Sequence, residues 1–247
     1  MIRPAASDSL RGVGIAVLIL GTWLVSLALL LGQPLGSASL AWIPPAVGLQ
    51  TFLYTGLFIT AHDSMHGTVC PHAPRLNRAL GSLSLVLFAL FSFRKLKTEH
   101  HKHHAGPGSA DDPDFHDSNR PVRWYLSFMG HYVSVGQIVG MAIVFNLLHH
   151  AVGIALENLL LFWVLPSLLS TVQLFFFGTY LPHRREEEAF RDRHHARTSA
   201  FPVWLSFLTC YHFGYHWEHH EYPGVPWWKL PTVHRQTQQG RAAVERA

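Results

Sequence analysis

Charge is what this chain has least of. Only 14% of its 247 residues are Asp, Glu, Lys or Arg, where soluble domains carry about 25%, and 49% are apolar. Such a composition places part of the surface in lipid. Cysteine is as scarce: Cys70 and Cys210 stand far apart with no CxxC spacing. That excludes a disulfide framework and predicts free thiols in a reducing compartment. A single basic face is also missing. The net charge is +4, but the basic residues lie beside apolar runs, so nucleic acid is not an expected partner. No break in composition marks a second folding unit, and one domain over 1–247 is expected. The first apolar run lacks a small-residue cleavage site and reads as a retained span.

Long apolar runs are what the chain does have. Four approach the roughly 20 residues a helix needs to cross a bilayer core: 13–31, 42–61, 132–152 and 156–178. Pro44 and Pro45 suit a helix start, and Pro166 should kink the fourth run. Two shorter runs, 79–93 and 201–215, predict interfacial helices. Lys and Arg are absent from 32–41 and from 153–157. All 19 basic residues fall in the amino-terminal tail, in 67–131 or after His183, and these regions should face the cytoplasm. An even number of spans then puts both termini inside. The expectation is an all-α integral membrane protein of the inner, cytoplasmic membrane. It has four transmembrane helices, short interfacial helices and a histidine-rich, two-metal cap on the cytoplasmic face.

Three short histidine boxes support that cap. HDSMH sets His62 and His66 at i and i+4; HHKHH holds His100, His103 and His104; HWEHH holds His216, His219 and His220. Residues three and four apart share one helix face, so their imidazoles can converge on a metal. His183, just beyond the fourth run, is a ninth candidate. These are too many nitrogens for one metal, and they suit two metals that each keep an open position. Imidazole alone does not choose between zinc, copper, iron and nickel. Soluble di-iron bundles use carboxylates, which these boxes nearly lack. Asp63, Glu99, Asp112, Asp114 and Glu218 are instead expected to accept N–H groups of ligand imidazoles. His212, one turn before His216, is a candidate support.

The remaining histidines read differently. His101 points about 100° from His100, and His149 and His150 fall at the opposite membrane face. His72, His116, His131, His194, His195 and His234 read as loop or interface residues. A metal transporter would need polar residues within the spans, which offer little beyond Gln50, Gln137, Asn146 and Gln173.

Four strings carry a resemblance: FLYTGLFITAHDSMHGTV at 52–69, HHKHH followed by DPDFH at 112–116, FGTYLPHR at 177–184, and CYHFGYHWEHHEYPGVPWWKLP at 210–231. They resemble the membrane di-iron oxygenases, a group of fatty acyl desaturases, alkane hydroxylases and carotenoid oxygenases. DPDFH and PWWKLP make the closer likeness one to bacterial beta-carotene ketolases. The resemblance implies two iron ions, dioxygen, and oxidation of the allylic C4 carbon of a beta-ionone ring. Two hydroxylations at that carbon give a gem-diol that loses water to a ketone. Beta-carotene would yield echinenone and canthaxanthin, and zeaxanthin would lead toward astaxanthin. A carotenoid hydroxylase, or a fatty acyl desaturase or hydroxylase on the same scaffold, is the alternative.

No flavin or nicotinamide fingerprint is present, so electrons should come from a separate ferredoxin-like donor. Arg184, Arg185, Arg191 and Arg193 could dock it or simply meet the lipid surface. The carotenoid should enter from the bilayer, with Phe88, Phe91, Phe93, Phe175, Phe176, Phe177 and Tyr180 as lining candidates. The sequence carries no sign of oligomeric state.

Overall fold

Proline opens three of the helices, where its missing N–H costs nothing. In a computed structural model describing residues 6–186, 190 and 192–244, α1 spans Ala6–Leu31 and α2 spans Ile43–Met65, with Pro44 and Pro45 in its first turn. Next come α3 (Pro74–Ala89), α4 (Phe93–Ala105) and α5 (Pro121–Tyr132). Then α6 (Val135–Asn146) runs on through a π turn at Leu147–Ala151. The long α7 covers Leu156–His183. Three shorter helices follow: α8 (Val203–Cys210), α9 (His216–Glu221) and α10 (Leu230–Val244). No strand occurs among the described residues.

The chain divides into two compact units. The first is Met1–Lys97 with Met129–Val172, and the second is Thr98–Phe128 with Gln173–Ala247.

In the first unit α2 is the central helix, and every residue from Leu53 to Met65 except Phe58 is buried. Its polar groups are met from neighbouring helices. Ser26 of α1 donates to Gln50 Oε1 at 2.7 Å, and Thr55 pairs with Ser170 of α7 at 2.9 Å. Trp23 of α1 meets Tyr54 edge-on at 5.3 Å. The last carbonyls of α1, orphaned at any helix end, accept from one side chain of α7. Asn158 Nδ2 lies 3.0 Å from Leu30 O and 3.2 Å from Leu31 O.

Two helices, Ser7–Leu31 and Leu156–His183, are long and apolar enough to cross a membrane, and they carry the membrane assignment. The run at 42–61 forms its helix as expected, but α2 is shielded by its neighbours and so can carry polar residues that a lipid-facing helix cannot. The run at 132–152 becomes Val135–Ala151, bent 85° from α5, and the run at 79–93 becomes α3, bent 102° from α4. The run at 201–215 contributes only the eight-residue α8.

Pro166 does not interrupt α7. A proline ring crowds the carbonyl four residues back, here that of Phe162, which lies in a π turn at Leu160–Val164. The wider turn makes room for the ring. The same device recurs before Pro182, whose fourth predecessor Gly178 lies in the π turn Phe175–Tyr180.

Close packing of α3 on α2 depends on Gly81. A Cβ there would lie 2.5 Å from both Ser64 Cβ and Phe93 Cε2, nearer than atoms can approach. Gly81→Ala is expected to lower stability by about 1–3 kcal/mol, read as a fall in thermal midpoint of the detergent-solubilised protein. Gly14→Ala has open space around its new methyl and should leave the midpoint unchanged. Equal midpoints for the two variants would refute this packing.

Candidate metal centre

The second unit gathers two sets of imidazoles. His103, His183, His216 and His220, all buried, each bring one nitrogen to within 4.8 Å of the others. His100, His104 and His219 bring theirs equally close. Spacing explains why each helix contributes more than one. His100, His103 and His104 share a face of α4, and His216, His219 and His220 share a face of α9. His183 arrives at the last turn of α7, after the π turn has shifted the helix register.

Hydrogen bonds fix which nitrogen is free in two of the rings, His183 and His103. His183 Nδ1 lies 2.7 Å from the carbonyl of His195. A carbonyl only accepts, so Nδ1 holds the proton and Nε2 is a bare lone pair. That Nε2 is buried and has no hydrogen-bond partner. His103 Nδ1 lies 2.9 Å from Asp112 Oδ1, which again turns its Nε2 inward. His103 Nε2 and His220 Nε2 are 3.1 Å apart, His220 Nε2 and His216 Nε2 are 3.1 Å apart, and His104 Nε2 and His219 Nε2 are 2.9 Å apart. Imidazole nitrogens facing one another so closely are the donor set of a cation. The residues fit a metal that prefers nitrogen ligands.

The electrostatics agree. Burial pushes the His220 imidazole well below its usual pKa, and the crowding of His216, His103, His104 and His183 lowers it further. It therefore stays a neutral ligand. Burial also works against a charge on His103, but the Asp114 and Asp112 carboxylates outweigh it and hold that ring above the usual histidine value. Burial would raise Asp112, yet His103 and the N–H groups of Gly108 and Asp114 hold it below the usual carboxylate range.

In the first unit, His62 and His66 pair on α2 with ring centroids 5.0 Å apart, and His62 Nδ1 lies 3.3 Å from Asp63 Oδ1. Outside both sets, His101 is exposed, and His149 turns its Nδ1 to Ile154 O at 2.9 Å.

The family model for fatty acid desaturases matches residues 37–139 and 135–245, most of the chain. The chain belongs to the fatty acid desaturase family. Among its relatives in that family, a beta-carotene ketolase of Paracoccus sp. strain PC1 is 41% identical over 92% of this chain and 94% of its own length. A beta-carotene ketolase of another Paracoccus strain is 49% identical over 74% of this chain and 75% of the relative. The zeaxanthin 4-ketolase of Chlamydomonas reinhardtii is 41% identical over 98% of this chain and 57% of the relative.

The structure places the other expected residues of this desaturase-family site as follows. Glu218 is fully buried between two ligand candidates, but its oxygens accept from His234 Nδ1 at 2.7 Å and Thr198 Oγ1 at 2.6 Å. It ties α10 and the 198 loop to α9 instead of holding a ligand N–H. Glu99 pairs with Lys102 at 2.9 Å, as an i, i+3 pair on one helix face does. His212 lies outside both sets. It has a left-handed φ of +64, and burial pushes it down to about 4. Arg184 pairs with Glu186 at 2.7 Å, Arg185 reaches Asp117 at 3.5 Å, and Arg191 lies outside the described residues.

The aromatic candidates divide. Phe175 packs against Tyr125 at 5.3 Å and Phe128 at 5.5 Å, Phe176 stacks on Tyr180 at 5.8 Å, and Phe177 approaches Phe201 at 6.5 Å. In the first unit Phe88 and Phe91 line a cavity of about 370 Å³. Phe93 is not part of that lining. It starts α4 just past the bend and turns onto Gly81.

Sequence reasoning missed three supports: the His195 carbonyl that orients His183, His234 behind Glu218, and His194, whose Nε2 lies 2.7 Å from Glu221. A backbone carbonyl leaves no trace in residue identity. His234 and Glu218 lie 16 positions apart, a separation no helix or turn period connects.

Proposed function

We propose that this protein is a carotenoid 4-ketolase, a di-iron oxygenase that converts C4 of a beta-ionone ring to a ketone by two successive hydroxylations. The observation that carries the reading is the buried nitrogen donor set around His183 Nε2, in a chain whose relatives are named ketolases. One iron would be held by His103, His183, His216 and His220, and the other by His100, His104 and His219. His62 and His66 are the further ligand candidates from the first box. Iron suits this work where redox-inert zinc does not, because iron in these sites supplies the activation of dioxygen.

The chain's own residues do the rest. Asp112 keeps the proton on His103 Nδ1, and the His195 carbonyl keeps the one on His183 Nδ1, so both rings present their lone pairs without rearrangement. Buried Phe213 packs 5.3 Å from His216 and 5.5 Å from His219 and keeps bulk water from that side of the donor set. Each hydroxylation consumes one dioxygen, two electrons and two protons, and releases one water. The second alcohol at the same carbon makes a gem-diol, which dehydrates to the ketone. A ferredoxin-like protein supplies the electrons, and the carotenoid enters from the bilayer. Four spans, with both termini and the metals on the cytoplasmic side, complete this reading, with both units forming one oxygenase domain.

Expression in cells that make beta-carotene, followed by chromatography of the pigments, tests it. Echinenone and canthaxanthin are expected, with the fatty acids unchanged. Unaltered pigments together with newly unsaturated or hydroxylated acyl chains would establish the desaturase alternative instead.

A further inference from the structure

The first unit contains a cavity for which the metal chemistry has no use. It lies between α6 and α7 beneath the end of α3, and its walls contain no His, Cys or carboxylate. At about 370 Å³ it falls within the size range of small-molecule sites, about 300–1,000 Å³. The wall is mostly apolar, with four aromatic residues: Phe88, Phe91, Phe145 and Trp163. Phe145 and Trp163 are nearly parallel, 6.2 Å apart with 15° between their planes. No residue of α6 is buried. That helix stands off from α7 and is joined back by this ring pair and by the Gln137 amide on the Ala89 carbonyl.

Four polar residues break the apolar wall, and each directs a donor to the backbone. Gln137 donates to Ala89, Asn146 to Ala142 at 2.8 Å, Ser167 to Val164 at 2.8 Å, and Thr171 to Leu168 at 2.7 Å. What they keep for a ligand is their acceptor oxygens together with the second N–H of each amide, a set that suits a hydroxyl, which both donates and accepts. A hydrocarbon tail gains nothing from acceptors, whereas a ligand hydroxyl does.

Resting on the ketolase reading above, we propose that this cavity holds the carotenoid ring that is not being oxidised, and that it favours a ring bearing a hydroxyl group. The flat aromatic walls take the ring, and the acceptors of Gln137, Asn146 and Ser167 take its hydroxyl. A carotenoid has a ring at each end, so the ring that is not oxidised is available to a second site. The cavity would then set the preference between hydroxylated and unsubstituted substrates, which the metal ligands do not determine.

The test uses the purified full-length, iron-loaded protein in detergent with no electron donor, so that pigment binds without turnover. Zeaxanthin and beta-carotene are added separately, free pigment is removed by gel filtration, and bound pigment per protein is measured. Met141→Trp, which fills the cavity, should retain several-fold less of both. The double variant Ser167→Ala, Asn146→Leu should lose about three- to tenfold of zeaxanthin binding, the worth of one or two hydrogen bonds, with beta-carotene binding unchanged. Unchanged beta-carotene binding also shows that this variant is folded. Retention of zeaxanthin unchanged in both variants would overturn the proposal, as would displacement only of phospholipid acyl chains by Met141→Trp. The two readings fail separately. Wild-type protein that binds pigment through this wall but forms no ketone when given electrons sinks the ketolase reading alone. Wild-type protein that forms ketone while the variants bind normally sinks the ring site alone.

Discussion

His220→Ala is expected to abolish ketone formation in carotene-producing cells and to leave the purified protein with about half its iron. His220 is the hub of the four-imidazole set, with its Nε2 3.1 Å from the Nε2 of both His103 and His216. Removing it takes away one proposed ligand and the imidazole that two others face. The imidazole is buried, with only 4% of its surface exposed, so no side chain from solvent can replace it. The variant should still insert, because α9 lies outside the two apolar helices. Iron content is therefore measured on membrane-extracted protein beside the pigment assay. Normal canthaxanthin output from His220→Ala would overturn the ligand assignment.

Asp112→Asn should have the next largest effect, although it changes only one atom. Asp112 Oδ1 accepts from His103 Nδ1 at 2.9 Å and from Asp114 N at 2.9 Å, and Oδ2 accepts from Gly108 N at 2.7 Å. Asparagine keeps one accepting oxygen, and its NH2 group must then face an N–H donor. Either His103 or the Gly108 loop loses its partner. Removing such a partner from a metal-binding histidine costs about 10- to 100-fold in metal affinity or activity, and a buried donor left unmatched costs about 1–3 kcal/mol in stability. Iron titration and ketone yield should fall together in Asp112→Asn, while Asp117→Asn serves as control. Asp117 is exposed and meets only Arg185 at 3.5 Å, so its loss should change neither. Wild-type iron affinity in Asp112→Asn would show that His103 needs no carboxylate behind it.

Much of this site was legible because helical metal boxes write themselves into spacing. His100, His103 and His104, like His216, His219 and His220, had to share a face once their segments were helical, and both segments are. The DPDFH string also supplied a carboxylate at the right place, since Asp112 does hold His103. Glu218 misled for a clear reason. Its neighbours in sequence are ligand candidates, but on a helix it points elsewhere and meets His234. Phe93 turns away from the cavity that Phe88 and Phe91 line because a 102° bend lies just before it, and apolar character does not record which way a chain turns.

The sequence by itself determined the helical class, the apolar character of α1 and α7, and the grouping of histidines along α4 and α9, because each follows from local period and composition. The tertiary structure decided the rest. It showed that α2 is shielded and not lipid-like, that His183 joins three distant imidazoles, and that a backbone carbonyl and a carboxylate choose the free nitrogens of His183 and His103. It also opened a cavity between α6 and α7. These features depend on which surfaces meet across long stretches of chain, and such pairings leave no period in a sequence to be read.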